Sequence, residues 1–133
     1  MDIPVFVYGT LRTGQNNHQL IAPYVESISE ASITGELYQL PYGYPAVING
    51  CGLVRGELIK FNDLKAALCV MDILEGYRGP GQNNHYDRIE VSAQLPSGDA
   101  LACLVYVYPE ERRSWLNATS SPIEGGDWIE YRS

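Results

Sequence analysis

The sequence predicts an α+β domain, a small mixed sheet flanked by short helices, and three observations carry that expectation. Short runs of β-branched and aromatic residues alternate with Gly-, Pro- and Asn-rich turns. A single clear helical pattern stands among them, at residues 63–75. The chain has 133 residues, 45% of them hydrophobic, which is enough for one core and too few for two. One domain is therefore expected over residues 1–133, with residues 109–133 as an irregular C-terminal flap.

Ile3 to Tyr8 reads as a buried strand that runs straight into a Gly9-Thr10 turn. A short helix is expected near Leu20, Ile21 and Tyr24, disturbed by Pro23. Strands follow at residues 33–40, 46–48 and 53–61, divided by turns at PYGYP and NGCG. Asn62 or Asp63 then caps a helix that Gly76 stops in the left-handed conformation. Asp87 to Leu95 alternates with a period of two, as a half-buried strand does, and Pro96 to Asp99 turns it back. Residues 100–108 are apolar on both faces and predict a central or barrel strand. In the last segment a short helix is expected around Arg112 to Leu116, while Trp128 and Tyr131 read as anchors more readily than as a lid.

Sixteen acidic against nine basic side chains give a formal charge of −7. Such a field repels phosphate backbones and anionic lipid, so neither nucleic acid nor membrane is expected as a partner. The opening MDIPVFVYG has no basic segment before an apolar run, and no apolar run reaches spanning length. A cytoplasmic location is expected. Cys51, Cys69 and Cys103 fit neither a disulfide framework nor a zinc pattern, and are expected as core or half-buried thiols. No metal site and no cofactor is expected. His18 and His85 stand among Asn and Gln in loop-like stretches, which suits solvated or turn-bonding roles.

Chemistry is concentrated at two places. Leu64, Leu68, Met71 and Glu75 share one helical face, so a carboxylate sits on an apolar stripe at the pole of the helix that disfavours negative charge. Glu75 is then paired with Arg88, a tyrosine or backbone, frayed into solvent at the helix end, or left free for use. Asp72, one turn earlier, reads as solvated. The YGTLR turn lacks the spacing and the lysine of a phosphate loop, but its backbone N–H groups suit a carboxylate or an oxyanion.

These two features stand in a longer pattern. VFVYGTLR at residues 5–12, GELYQLPYGYPAVI at 35–48, VRGELIKF at 54–61, MDILEGY at 71–77 and HYDRIEV at 85–91 together resemble the gamma-glutamylcyclotransferase family, in that order and at that spacing. GGDWIEY at 125–131 resembles the tail of its bacterial branch. The resemblance implies a small mixed β-barrel with flanking short helices. It implies that Glu75 is the general acid/base for conversion of a gamma-glutamyl amide to 5-oxoproline, and that Tyr8, Gly9, Thr10 and Leu11 hold the gamma-glutamyl group. Tyr86 would line the site, with Arg88 supporting it from the strand, and PYGYP would border the pocket. The implied partner is a small gamma-glutamyl molecule whose departing half would meet the loop Gly79 to Asn84. Oligomeric state stays open, as do two alternatives: a gamma-glutamyl-binding or regulatory module without turnover, and a hydrolase of a related amide.

Overall fold

The computed structural model describes residues 3–133; Met1 and Asp2 of the opening stretch lie outside the described residues. The strands are β1 (Val5–Val7), β2 (Val25–Gln39), β3 (Pro45–Phe61), β4 (Asp87–Gln94), β5 (Ala100–Val107) and β6 (Ser121–Pro122); the helices are α1 (Leu64–Glu75), α2 (Arg113–Thr119) and α3 (Trp128–Arg132). β1 lies antiparallel to β3 and parallel to β5, β5 continues to β4 and β4 to β2, and β2 returns to β3. Five strands therefore close into a mixed barrel, and β6 adds a short edge against Tyr38 and Gln39.

β1 is buried on both faces because the closed sheet has packing inside and outside it. Phe6 and Tyr8 belong to one cluster with Val54, Leu58, Val105 and Trp128. Val5 and Val7 belong to another with Ile59, Ala67 and Met71, which seats α1 on the barrel. The Asp63 carboxylate caps α1 by accepting the Ala66 N–H at 3.1 Å, and Gly76 at φ 67° ends it, as the sequence predicts.

The structure departs from the sequence expectation in four places. Residues 18–24 form two 3₁₀ turns, His18–Leu20 and Ala22–Tyr24, and no α-helix, because Pro23 has no N–H to continue one. NGCG is no turn: β3 runs through it, and residues 49–52 bulge opposite the single Gly35. The Glu36 carboxylate fills the space over the bulge and accepts the Gly52 N–H at 2.7 Å; a Cβ at Gly50 would fall 2.1 Å from the Glu36 side chain. Cys51 and Cys69 are exposed and only Cys103 is buried, since the first lies on the bulge and the second on the outer face of α1.

Finally, residues 109–133 are not irregular. They hold α2, β6 and α3, ordered because Leu116, Ile123 and Trp128 each find a buried seat. Gly126, at φ 71°, ties this segment to the barrel: its carbonyl accepts the Arg55 N–H at 2.7 Å. A Cβ there would meet the Leu53 carbonyl oxygen at 1.9 Å. Gly126→Ala combines that clash with left-handed strain, and we expect a loss of at least about 2 kcal/mol in urea unfolding. An unchanged midpoint would show that the segment is not fastened here.

Candidate functional site

A cavity of about 210 Å³ opens where β1 leaves the barrel. Tyr8, Gly9, Thr10, Leu11, Glu75 and Tyr86 all line it, so the residues singled out in the sequence come together from three separate stretches of chain. Each is delivered by a local device. The turn after β1 folds back on itself through Arg12 N–H to Gly9 O at 3.1 Å and Asn17 N–H to Thr10 O at 3.0 Å. The Asn17 amide also donates to Thr10 Oγ1 at 2.9 Å. No acceptor among the described residues takes the backbone N–H of Gly9, Thr10 or Leu11. Donors left open beside a cavity suit an anionic ligand group.

Gly9 has a steric reason to be glycine: a Cβ there would lie 2.7 Å from the Pro45 ring. Pro45 ends the PYGYP turn, which Leu40 N–H to Tyr44 O closes at 2.8 Å with Gly43 at φ 92°. Tyr44 and Pro45 both border the cavity. The Tyr86 hydroxyl donates to Pro45 O at 2.8 Å, and the Tyr8 hydroxyl to Tyr106 O at 2.6 Å. Burial, then neighbouring Tyr86 and Glu75, push the Tyr8 phenol well above its usual range. Burial and Glu75 do the same for Tyr86. Both rings stay neutral and act as walls and hydrogen-bonding groups.

The Glu75 carboxyl accepts no hydrogen bond and makes no ion pair among the described residues. Its backbone is held instead, with the carbonyl accepting the Tyr86 N–H at 3.2 Å. Burial raises its pKa to about 7. A carboxyl with that affinity is poised to take and return a proton near neutrality.

Of the readings open for Glu75, pairing with Arg88 is excluded, because Arg88 is engaged elsewhere. Its guanidinium donates to both carboxylate oxygens of Asp72 at 2.8 and 2.7 Å, and lies 4.8 Å from the Tyr77 ring centroid. The Tyr106 hydroxyl donates to the same carboxylate at 2.5 Å. Asp72 is thus not the solvated residue the sequence suggests. It joins α1 to β4 and β5, one turn before Glu75.

Asn17, Leu74, His85 and Tyr106 also line the cavity, beyond the residues expected there from the sequence. His85 and Leu74 stand beside Tyr86 and Glu75 in the sequence, which is their signal; Asn17 and Tyr106 become neighbours only on folding. His85 is exposed, whereas the ring Nδ1 of His18 lies 2.8 Å from Leu11 O, a turn-bonding role. Gly79 to Asn84 do not line the cavity. Asn84 instead ties that loop to itself, accepting from Arg78 N–H and donating to Gly79 O and Asp87. Among the described residues no cluster of His, Cys, Asp and Glu could hold a metal ion, and no helix is long and apolar enough to cross a membrane.

The chain is thus a closed five-stranded mixed barrel with one cavity lined by both Glu75 and the Gly9–Leu11 turn. The family model described as "Gamma-glutamyl cyclotransferase, AIG2-like" matches residues 5–130, and the chain belongs to that family. It is 37% identical over 129 residues to a gamma-L-glutamyl-butirosin B gamma-glutamyl cyclotransferase of Niallia circulans, covering 96% of this chain and 76% of that one. It is 29% identical to the gamma-glutamylcyclotransferase family protein ytfP of Citrobacter rodentium, covering 95% of each. Among solved structures, YkqA from Bacillus subtilis superposes with a TM-score of 0.72 at 24% identity, over 99% of this chain and 41% of that longer one. Protein ytfP from Escherichia coli superposes with a TM-score of 0.59 at 27% identity, over 98% and 100%.

Proposed function

We propose that this protein converts a gamma-glutamyl amide to 5-oxoproline and a free amine, with Glu75 carrying the proton. The observation that carries the reading is a raised, unpaired carboxyl sharing one cavity with the open N–H groups of Gly9, Thr10 and Leu11. The substrate's α-amine attacks its own γ-carbonyl, so a five-membered ring closes and the C–N bond to the departing amine breaks. Glu75 takes the proton that the attacking nitrogen sheds and returns it to the departing nitrogen. The open N–H groups hold the substrate's carboxylate or the oxyanion of the tetrahedral intermediate. Confinement supplies much of the rate, since both reacting atoms belong to one folded molecule. The similarity to a cyclotransferase acting on gamma-L-glutamyl-butirosin B supports the same reaction class here.

The test is product analysis over a panel of gamma-glutamyl amides. Release of 5-oxoproline supports the reading; free glutamate would replace it with a hydrolase, and binding without product with a sensor or regulatory module. The pH profile gives a second test. The base form of Glu75 is lost as pH falls through about 7, so kcat/KM should fall about tenfold per unit below that value. A profile flat down to pH 5 would assign the proton transfer to some other group.

A further inference from the structure

Ring closure uses one end of the cavity, yet aromatic rings continue from its wall out to the surface. Tyr44 lines the cavity and is 52% exposed. Tyr42, in the same turn and 63% exposed, stacks on Trp115 of α2 with centroids 6.0 Å apart and planes 19° apart. Trp115, 37% exposed, stacks in turn on Tyr108 at 6.2 Å. Tyr108 meets Tyr86, a cavity-lining ring, edge-on at 5.8 Å. Folding does not need Tyr42, Tyr44 and Trp115 in water together; a contiguous exposed aromatic patch marks a binding surface.

The charges around it narrow the ligand. Among the described residues, none that lines the cavity is Lys or Arg, and Arg112, three residues before Trp115, donates to Asn83 Oδ1 at 3.4 Å. On α2, Arg113 is held by Glu110 at 2.6 Å and donates to Asn49 O at 2.9 Å. What the mouth offers is flat, apolar ring faces with phenolic edges, the surface on which another ring stacks.

We propose that Tyr42, Tyr44 and Trp115 form the subsite for the departing half of the substrate, and that this half is an amine bearing an aromatic ring on a short chain and no carboxylate. The assignment rests on the cavity being the gamma-glutamyl site. The ring packs on the exposed side of Tyr42 and the exposed part of Trp115, while Tyr44 links that shelf to the cavity.

The experiment compares gamma-glutamyl methylamide, phenethylamide and phenylalanine as substrates of the full chain, reading 5-oxoproline. The phenethylamide should exceed the methylamide in kcat/KM by about tenfold, the range of one or two aromatic contacts, and should also exceed the phenylalanine conjugate. Trp115→Ala and Tyr42→Ala should each bring that ratio close to one. Tyr42 is the more exposed of the two, so its variant carries the test should Trp115→Ala not fold. Equal kcat/KM for the two amides, preference for the phenylalanine conjugate, or a ratio that survives both substitutions would overturn the subsite. If no substrate yields 5-oxoproline, the cyclotransferase reading fails instead. Calorimetric titration of the same amides then reads the shelf by itself, and equal affinities would remove it.

Discussion

Glu75→Gln yields a folded protein whose turnover falls by at least about two orders of magnitude, the range expected when a positioned general acid/base is lost. Gln keeps the shape of the side chain and removes its proton affinity, so the barrel and the N–H turn should still bind the gamma-glutamyl half. The loss should accordingly appear in kcat and leave KM within a few fold. The variant also has a stability signature with a definite sign. Burial raises the folded-state pKa of Glu75 to about 7, so the native state binds the extra proton between the ordinary glutamate value and 7. Stability contributed by the protonated form is lost as pH rises through that window, and above it the native state carries a desolvated carboxylate. Gln avoids this cost, and the variant should be more stable than wild type at pH 8 by on the order of 1–2 kcal/mol, after a discount for the cavity's opening to solvent. At pH 4 the two should match. Wild-type rates in the variant would exclude Glu75 as the proton carrier, and equal stabilities at both pH values would show that its carboxyl is solvated.

The second large effect concerns stability. Trp128→Ala should cost about 3–5 kcal/mol, the usual range for emptying a large aromatic site in a packed core. Trp128 is 1% exposed, packs with the cluster of Phe6 and Tyr8, and donates through Nε1 to Gln39 Oε1 at 2.7 Å. Its ring also stands 4.0 Å from where a Cβ of Gly9 would be, beneath the turn at the cavity. Next to it Asp127 caps α3 and accepts from Arg12 of the same turn at 2.9 Å. Loss of the tryptophan should therefore unfasten the turn from behind and lower kcat/KM in whatever protein remains folded. Trp128→Phe keeps most of the apolar area and loses the indole hydrogen bond, so about 1–2 kcal/mol is expected. Urea titration of the three proteins checks the order, and a loss under about 1 kcal/mol for the alanine variant would mean the tail only rests on the barrel.

What could be read from the linear chain depended on how local the cause was. Asp63 and Gly76 bound α1 through contacts within a few residues, and both ends were legible. Composition marks the NGCG stretch as a turn, while Glu36, on the partner strand, holds it as a bulge in β3. The mixed composition of residues 109–133 likewise predicts an irregular flap. The helix near Arg112 to Leu116 and the Trp128 anchor are legible in the segment, but the seats that Leu116, Ile123 and Trp128 fill lie on the barrel and are not.

The candidate site divides along the same line. The sequence by itself determined that a carboxylate would lie on the apolar face of a helix, and that a glycine turn with open N–H groups would end the first strand. It also carried the pattern of motifs that places the chain in its family. Only the tertiary structure decided that Arg88 and Tyr106 take Asp72 and leave Glu75 unpaired, and that a run of rings leads from the cavity to the surface. Spacing along a helix fixes which face a residue occupies. Which of two neighbouring carboxylates finds the guanidinium depends on where β4 and β5 bring Arg88 and Tyr106, and barrel closure sets that.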